Sequence, residues 1–190
     1  MIKELVIKTR SYRRFHEKHM ITEDTLRELI DLARLSASAR NAQPLKYILS
    51  TNYKMNSLIF QTLAWAAYFQ EWTGPEEGER PSAYIIMLGD TSITTNYFCD
   101  HGIAAQSILL GATEKGLGGC IIASIKRDEL RSRLQIPDRF EIIQVIALGK
   151  PLEQVVIEPL PDTGDIKYWR DKNNIHHVPK RSIDEIIISI

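Results

Sequence analysis

The chain has 190 residues, with Lys plus Arg and Asp plus Glu both at 24, so its formal net charge is zero. That length suits one domain with a real core, and the balance excludes a global pull toward nucleic acid or an anionic membrane. Two cysteines, Cys99 and Cys120, outside any CxxC pair, do not make a disulfide framework and suit reduced thiols in the cytoplasm. Charges in Met1–Leu5 interrupt the apolar stretch that a signal peptide needs, and no apolar run approaches the roughly 20 residues of a membrane span. A soluble cytoplasmic protein is expected, with no membrane and no nucleic-acid partner.

Residues 2–8 form a short apolar segment that runs into a basic cluster, Lys8, Arg10, Arg13, Arg14 and Lys18. Thr22-Glu23-Asp24 reads as a helix start, with Thr22 as cap and two acids at the positive end of the dipole. Leu26, Leu29, Ile30 and Ala33 follow at helical spacing, until the small and polar run Ser36–Pro44. A strand is predicted over 46–50 and a helix over 54–70. Residues 74–81 read as a loop, either a lid or a connector. The apolar run 83–88 predicts a buried strand. Asp100 is expected to cap a helix reaching about Lys115, with Ile103, Ala104, Ser107, Ile108 and Gly111 as a face for close packing and Gly116 at its C-terminal cap. Strands follow over 119–124 and 142–148, with a short helix between them stopped by Pro137. Residues 1–150 are expected to be the core. Residues 151–190 are expected to be an extended arm of the same domain, packed on a second subunit and ending in a β-branched strand at 183–190 that pairs with a sheet.

Several motifs are absent. There is no GxGxxG, no GxxxxGK[ST] and no GxSxG. His16-Glu17-Lys18-His19 is one residue short of HExxH, and His176-His177 point to different sides in regular structure, so no metal site is assigned.

Four pieces carry chemistry. In Thr9–Phe15, guanidinium groups flank a hydroxyl and suit a phosphate dianion. In extended backbone Ser11 and Arg13 share one side, with Arg10 and Arg14 opposite. Ser38–Pro44 offers short hydroxyl and amide side chains that can read the edge of a planar heterocycle. Gly118–Ser124 is a strand whose backbone can approach a flat ring. Val178-Pro179-Lys180-Arg181 is a second cationic point.

In this order the pieces resemble the nitroreductase family of FMN-dependent oxidoreductases, over nearly the whole chain. The resemblance implies an α+β fold, a central antiparallel sheet surrounded by helices, in an intertwined homodimer whose C-terminal strand joins the partner's sheet. It implies FMN as cofactor. Arg10, Ser11, Tyr12 and Arg13 would hold its phosphate and ribityl chain, and Ser38, Asn41 and Gln43 would line the ring from the neighbouring subunit. Ile122, Ala123 and Ser124 would face N5, and Lys180 and Arg181 would return to the phosphate. Thr9 departs from the family by standing where another arginine is common, and Leu45 stands where an aromatic is common. Trp65, Tyr68, Trp72 and Trp169 are candidate pocket walls. The implied activity passes two electrons from NAD(P)H through FMN to a nitroaromatic, quinone or similar acceptor, with no protein general acid or base assigned. The alternatives are a reductive dehalogenase or flavin reductase on the same fold, or a nonenzymatic flavin-binding protein.

Overall fold

The computed structural model describes residues 1–69 and 71–189. Its centre is a four-stranded antiparallel sheet of β1 (Leu45–Ser50), β2 (Ala83–Asp90), β3 (Gly118–Ile122) and β4 (Phe140–Gly149), ordered β1-β2-β4-β3. Every residue of β2 is buried because helices cover both faces of the sheet. Ala83, Ile85 and Met87 face α2 (Glu23–Leu35) and α4 (Asp100–Glu114). Tyr84, Ile86 and Leu88 face a second cluster, with Ile59 of α3 (Tyr53–Phe60) and Leu130 of α5 (Arg127–Leu134). Each fully buried Ile, Leu or Met contributes about 1.5–3 kcal/mol. A bulge after Met87 shifts the register from Met87↔Gln144 to Leu88↔Ile142. The shift explains why Ile142, Val145 and Ala147 of β4 share one face.

The expected close packing of α4 is present. Gly111 lies where a Cβ would come within 2.3 Å of Leu32 Cδ1 and 3.1 Å of Leu29 Cδ2 on α2. Ser36 and Ser107 share a hydrogen bond of 2.7 Å across the two helices. Gly116, at φ +71°, follows the C-cap, and the Leu117 amide closes on the Ala112 carbonyl at 2.8 Å.

Three expectations change. The helix predicted over 54–70 ends at Phe60. Beyond it the chain is drawn to the exit of β3, where Leu63 bridges Ile125 and the Ala64 amide donates to Ser124 O at 2.9 Å. Residue 70 lies outside the described residues. Residues 183–186 form a short helix, α6 (Ile183–Ile186), rather than a strand. Ser182 caps it by accepting from the Glu185 amide, and two acids occupy its first turn, so the local N-terminal signal outweighs the β-branched run. Residue 190 of that run is not described. The arm also packs in part on its own chain. β5 (Val155–Pro159), β6 (Trp169–Arg170) and β7 (His176–Lys180) form a second sheet, ordered β5-β7-β6. The 74–81 loop is a pinned connector: the Phe15 amide donates to Glu79 O at 2.9 Å and the Gly78 amide donates to the Glu17 carboxylate at 2.5 Å.

Candidate functional site

The N-terminal helix α1 (Ile2–Lys8) leads into a segment laid along the open edge of β3. Thr9 is buried. Its hydroxyl donates to Leu5 O at 2.7 Å and shares a hydrogen bond of 2.9 Å with Thr113 on α4. Thr9 is therefore an anchor and leaves no gap in a cationic site. Ser11 then bridges Gly119 in the parallel sense, the Tyr12 amide donates to Gly119 O at 3.0 Å, and Phe15 bridges Pro151. Two glycines make room for this segment. A Cβ on Gly118 would meet Tyr12 Cδ2 at 2.5 Å, and one on Gly149 would meet the Phe15 ring at 2.7 Å.

Glu153 fixes the segment from beneath. Its carboxylate, 0% exposed, accepts the Arg13 amide at 2.5 Å and the Arg14 amide at 3.2 Å on one oxygen, and Arg170 Nη2 at 3.0 Å on the other. The two arginines then diverge. Arg14 makes a bidentate pair with Glu79, at 2.6 and 2.5 Å, which holds the Glu79 carboxyl below its usual range. The Arg13 guanidinium donates to Ser11 O, at 3.2 Å, and lies 4.8 Å over the Tyr168 ring. Its guanidinium has no carboxylate within ion-pair distance among the described residues. Arg10 turns back, donating from Nη2 to Val6 O at 2.8 Å, while its buried Nε has no partner among the described residues. Burial lowers its pKa, with Tyr12 opposing.

Arg13 opens onto a cleft of about 170 Å³, walled by Trp65, Cys120, Ile122, Ala123, Ser124 and Tyr168 among others. Ile122 is buried, whereas Ala123 and Ser124, past the end of β3, are exposed. Burial pushes the Cys120 thiol up, which suits packing rather than nucleophilic chemistry. Two predicted pieces, the N-terminal basic segment and the strand exit, thus meet in one chain through Arg13.

The other two pieces lie elsewhere in the chain. Ser38–Gln43 is clamped to the start of α4. Asp100 accepts Ser38 Oγ at 2.6 Å and the Ala39 amide at 2.8 Å, and the Gln43 amide donates to Ser38 Oγ at 2.9 Å. Asp100 was expected to cap its own helix. Cys99 occupies that position instead, and the carboxylate holds the loop. Arg40, Asn41 and Gln43 all have positive φ, 55°, 54° and 51°, and Asn41 and Gln43 are exposed. Lys180 and Arg181 line a separate groove with Leu160, Pro161 and Glu185, and Arg181 pairs with Glu185.

Sequence reasoning missed Glu153, Tyr168, Arg170 and His176, which tie the arm to the basic segment. Arg170 lies 4.9 Å over Phe69 and 4.6 Å over Trp72. His176, 1% exposed, stacks on Tyr168 at 5.1 Å. Burial first, then the charges of Arg13, Arg170 and His177, push its pKa down to about 4. The available signal was the aromatic and charged run Tyr168-Trp169-Arg170-Asp171 in a segment otherwise poor in apolar periodicity. Of the candidate aromatic walls, Trp65 lines the cleft, whereas Tyr68, Trp72 and Trp169 line a neighbouring groove with Tyr168 and Arg170.

An antiparallel sheet between helices, with a cationic side chain beside the exposed end of an outer strand, defines an α+β protein with a cleft at that end. The nitroreductase family model matches residues 6–150, and the chain belongs to this family of oxidoreductases. Solved structures share the fold. A nitroreductase family protein from Clostridium novyi NT is 23% identical, with 97% of this chain and 98% of that chain covered and a TM-score of 0.68. An FMN-dependent nitroreductase from Clostridium difficile R20291 is 21% identical, with 81% and 89% covered and a TM-score of 0.66. The NADPH:FMN oxidoreductase from Vibrio harveyi, solved with NAD+, is 21% identical, with 85% and 74% covered and a TM-score of 0.65. No helix among the described residues is long and apolar enough to cross a membrane.

Proposed function

We propose that the chain is an FMN-dependent oxidoreductase that passes two electrons from NAD(P)H to a nitroaromatic, quinone or similar small acceptor. It acts as a cytoplasmic homodimer. The observation that carries the reading is the cleft that Arg13, without a carboxylate partner among the described residues, lines together with the exposed residues Ala123 and Ser124. The donor set suits FMN: guanidinium groups and a hydroxyl at Arg10, Ser11 and Arg13 for anionic oxygens, and peptide groups past β3 for the ring edge. The buried Nε of Arg10, without a partner among the described residues, is a donor that suits an anionic oxygen.

FMN, when bound, supplies the two-electron chemistry of its ring. Arg10, Ser11, Tyr12 and Arg13 would hold its phosphate and ribityl chain, and Ile122, Ala123 and Ser124 would face N5 of the ring. Trp65 and Tyr168 would limit the size of what reaches the ring. Ser38, Asn41 and Gln43 would complete the site from the neighbouring subunit, and Lys180 and Arg181 would return to the phosphate. Exposed apolar residues support a dimer: Ile2, Val6 and Ile7 on α1, and Ile183 and Ile186–Ile188 at the other end. The outer edge of β1 carries no strand among the described residues and is a place for the C-terminal segment of a second copy. Residues 1–150 would then be the FMN-binding core and 151–190 the arm of one domain.

The test is colour. The purified protein should be yellow, release FMN on denaturation and bleach anaerobically with NADH or NADPH. A colourless protein that takes up no added FMN rejects the assignment. One that binds FMN but is not bleached by either nucleotide is a flavin-binding protein without this activity.

A further inference from the structure

A second cavity lies between α3, the start of β2 and residues 17–20, apart from the cleft beside Arg13. Its volume is about 80 Å³, several times the roughly 10–15 Å³ that admits one water. Its apolar walls include Met20, Tyr53, Phe60 and Pro81. Three of the polar side chains that line it each carry a buried atom without a hydrogen-bond partner among the described residues: Arg80 Nε, Ser82 Oγ and Tyr84 Oη. Tyr84 is 1% exposed and Ser82 6%. The Arg80 guanidinium lies 4.5 Å over the Phe60 ring and has no carboxylate within ion-pair distance among the described residues.

A buried donor left unsatisfied is costly, and three together in one cavity call for an acceptor. An ionised carboxylate offers two oxygens and about four lone-pair sites, and it is the natural partner of a guanidinium. Glu17 also lines the cavity, its Oε2 engaged by the Gly78 amide at 2.5 Å. Its negative charge disfavours a second charge on the ligand, and so disfavours phosphates and dicarboxylates.

We propose that this cavity binds a small monocarboxylate with a short apolar tail, its head held by Arg80, Ser82 and Tyr84 and its tail along Met20, Tyr53 and Phe60. The site is independent of the flavin reading. The cavity and the cleft beside Arg13 share no lining residue among the described residues, and the Phe60 ring of the one lies 5.8 Å from the Trp65 ring of the other.

The experiment is a titration of the protein as purified with sodium propionate, followed by amide and side-chain nuclear magnetic resonance. Propanamide serves as the neutral counterpart. Propionate should shift the Arg80 Nε–H and the Ser82 amide. R80Q should weaken it roughly ten- to a hundredfold, the fold-change expected for one lost charge-assisted hydrogen bond. Y84F, which removes one oxygen and keeps the ring, should weaken it by less, and propanamide should bind more weakly than propionate. Because R80Q can perturb folding, R80K is the companion variant: it keeps the charge, loses the fork and should retain part of the affinity. Absence of these shifts at tens of millimolar propionate overturns the proposal and leaves the cavity to water. Equal affinity in the parent and Y84F with loss only in R13Q also overturns it, because the anion then sits in the cleft beside Arg13.

Discussion

Replacing Glu153 by Gln tests whether the arm positions the basic segment. The substitution keeps the shape and one acceptor oxygen but removes the charge that faces two amides and Arg170. Breaking a buried ion pair by removing one partner costs about 3–5 kcal/mol. The low end applies here, because Arg170 is 15% exposed and keeps its stacking on Phe69 and Trp72. A loss of about 3 kcal/mol corresponds to a fall in Tm of roughly 6–12 °C for a chain of this size. Thermal and urea denaturation measure it, with E153Q, R170M and the double variant in one cycle. The double variant should be more stable than the sum of the single losses predicts by about 1 kcal/mol or more, since it no longer buries an unpaired guanidinium. A Tm for E153Q within about 1 °C of the parent, or an additive cycle, refutes the reasoning.

Three further outcomes follow from the same geometry. Arg13→Ala should weaken FMN retention by about 1.5–3 kcal/mol, read as a faster loss of yellow colour on dialysis, whereas unchanged retention removes Arg13 from the site. Asp100→Asn should loosen the Ser38–Gln43 loop without unfolding α4; amide exchange at Ala39 and Gln43 should speed up while Ile108 stays protected, and unchanged exchange denies the clamp. His176 titrates near 4 in the fold, chiefly because it is buried, against an ordinary value of 6.5. The unfolded chain therefore takes up that proton first, so this contribution to stability is complete above about pH 6.5 and is lost as pH falls toward 4. Urea midpoints should decline over that window, and His176→Asn should flatten the decline.

Much of the main sheet was legible because apolar runs bounded by turn residues announce buried strands. The run 83–88 became Ala83–Asp90, 46–50 became Leu45–Ser50, and 142–148 became Phe140–Gly149. The errors fall where distant partners decide. Nothing local ends α3 at Phe60, because the competing pairs, Leu63 with Ile125 and Ala64 with Ser124, come from 60 residues or more away in sequence. The second sheet was read as a bare arm because stacking and ion pairs hold it: Trp169 lies on His177 at 4.0 Å, and Glu158 accepts from Trp169 Nε1 at 3.0 Å. Within the candidate site, Arg13 and the β3 exit were legible as residue types in order. Glu153 was not, because a single acid after a proline carries no pattern and the two amides it accepts lie some 140 residues upstream.

The glycine-floored channel that receives residues 11–15 has a consequence for how the molecule is made. Its floor is Gly118 and Gly149, and its fastening is Glu153. A ribosome adding about 5–20 residues per second needs on the order of ten seconds to pass from Arg13 to Glu153. Arg13 and Arg14, made early, are thus among the last residues to find their seat. A nascent chain cut short before Glu153 lacks the acid that seats Arg13, so cofactor capture through Arg13 would act as a report that synthesis has reached the arm.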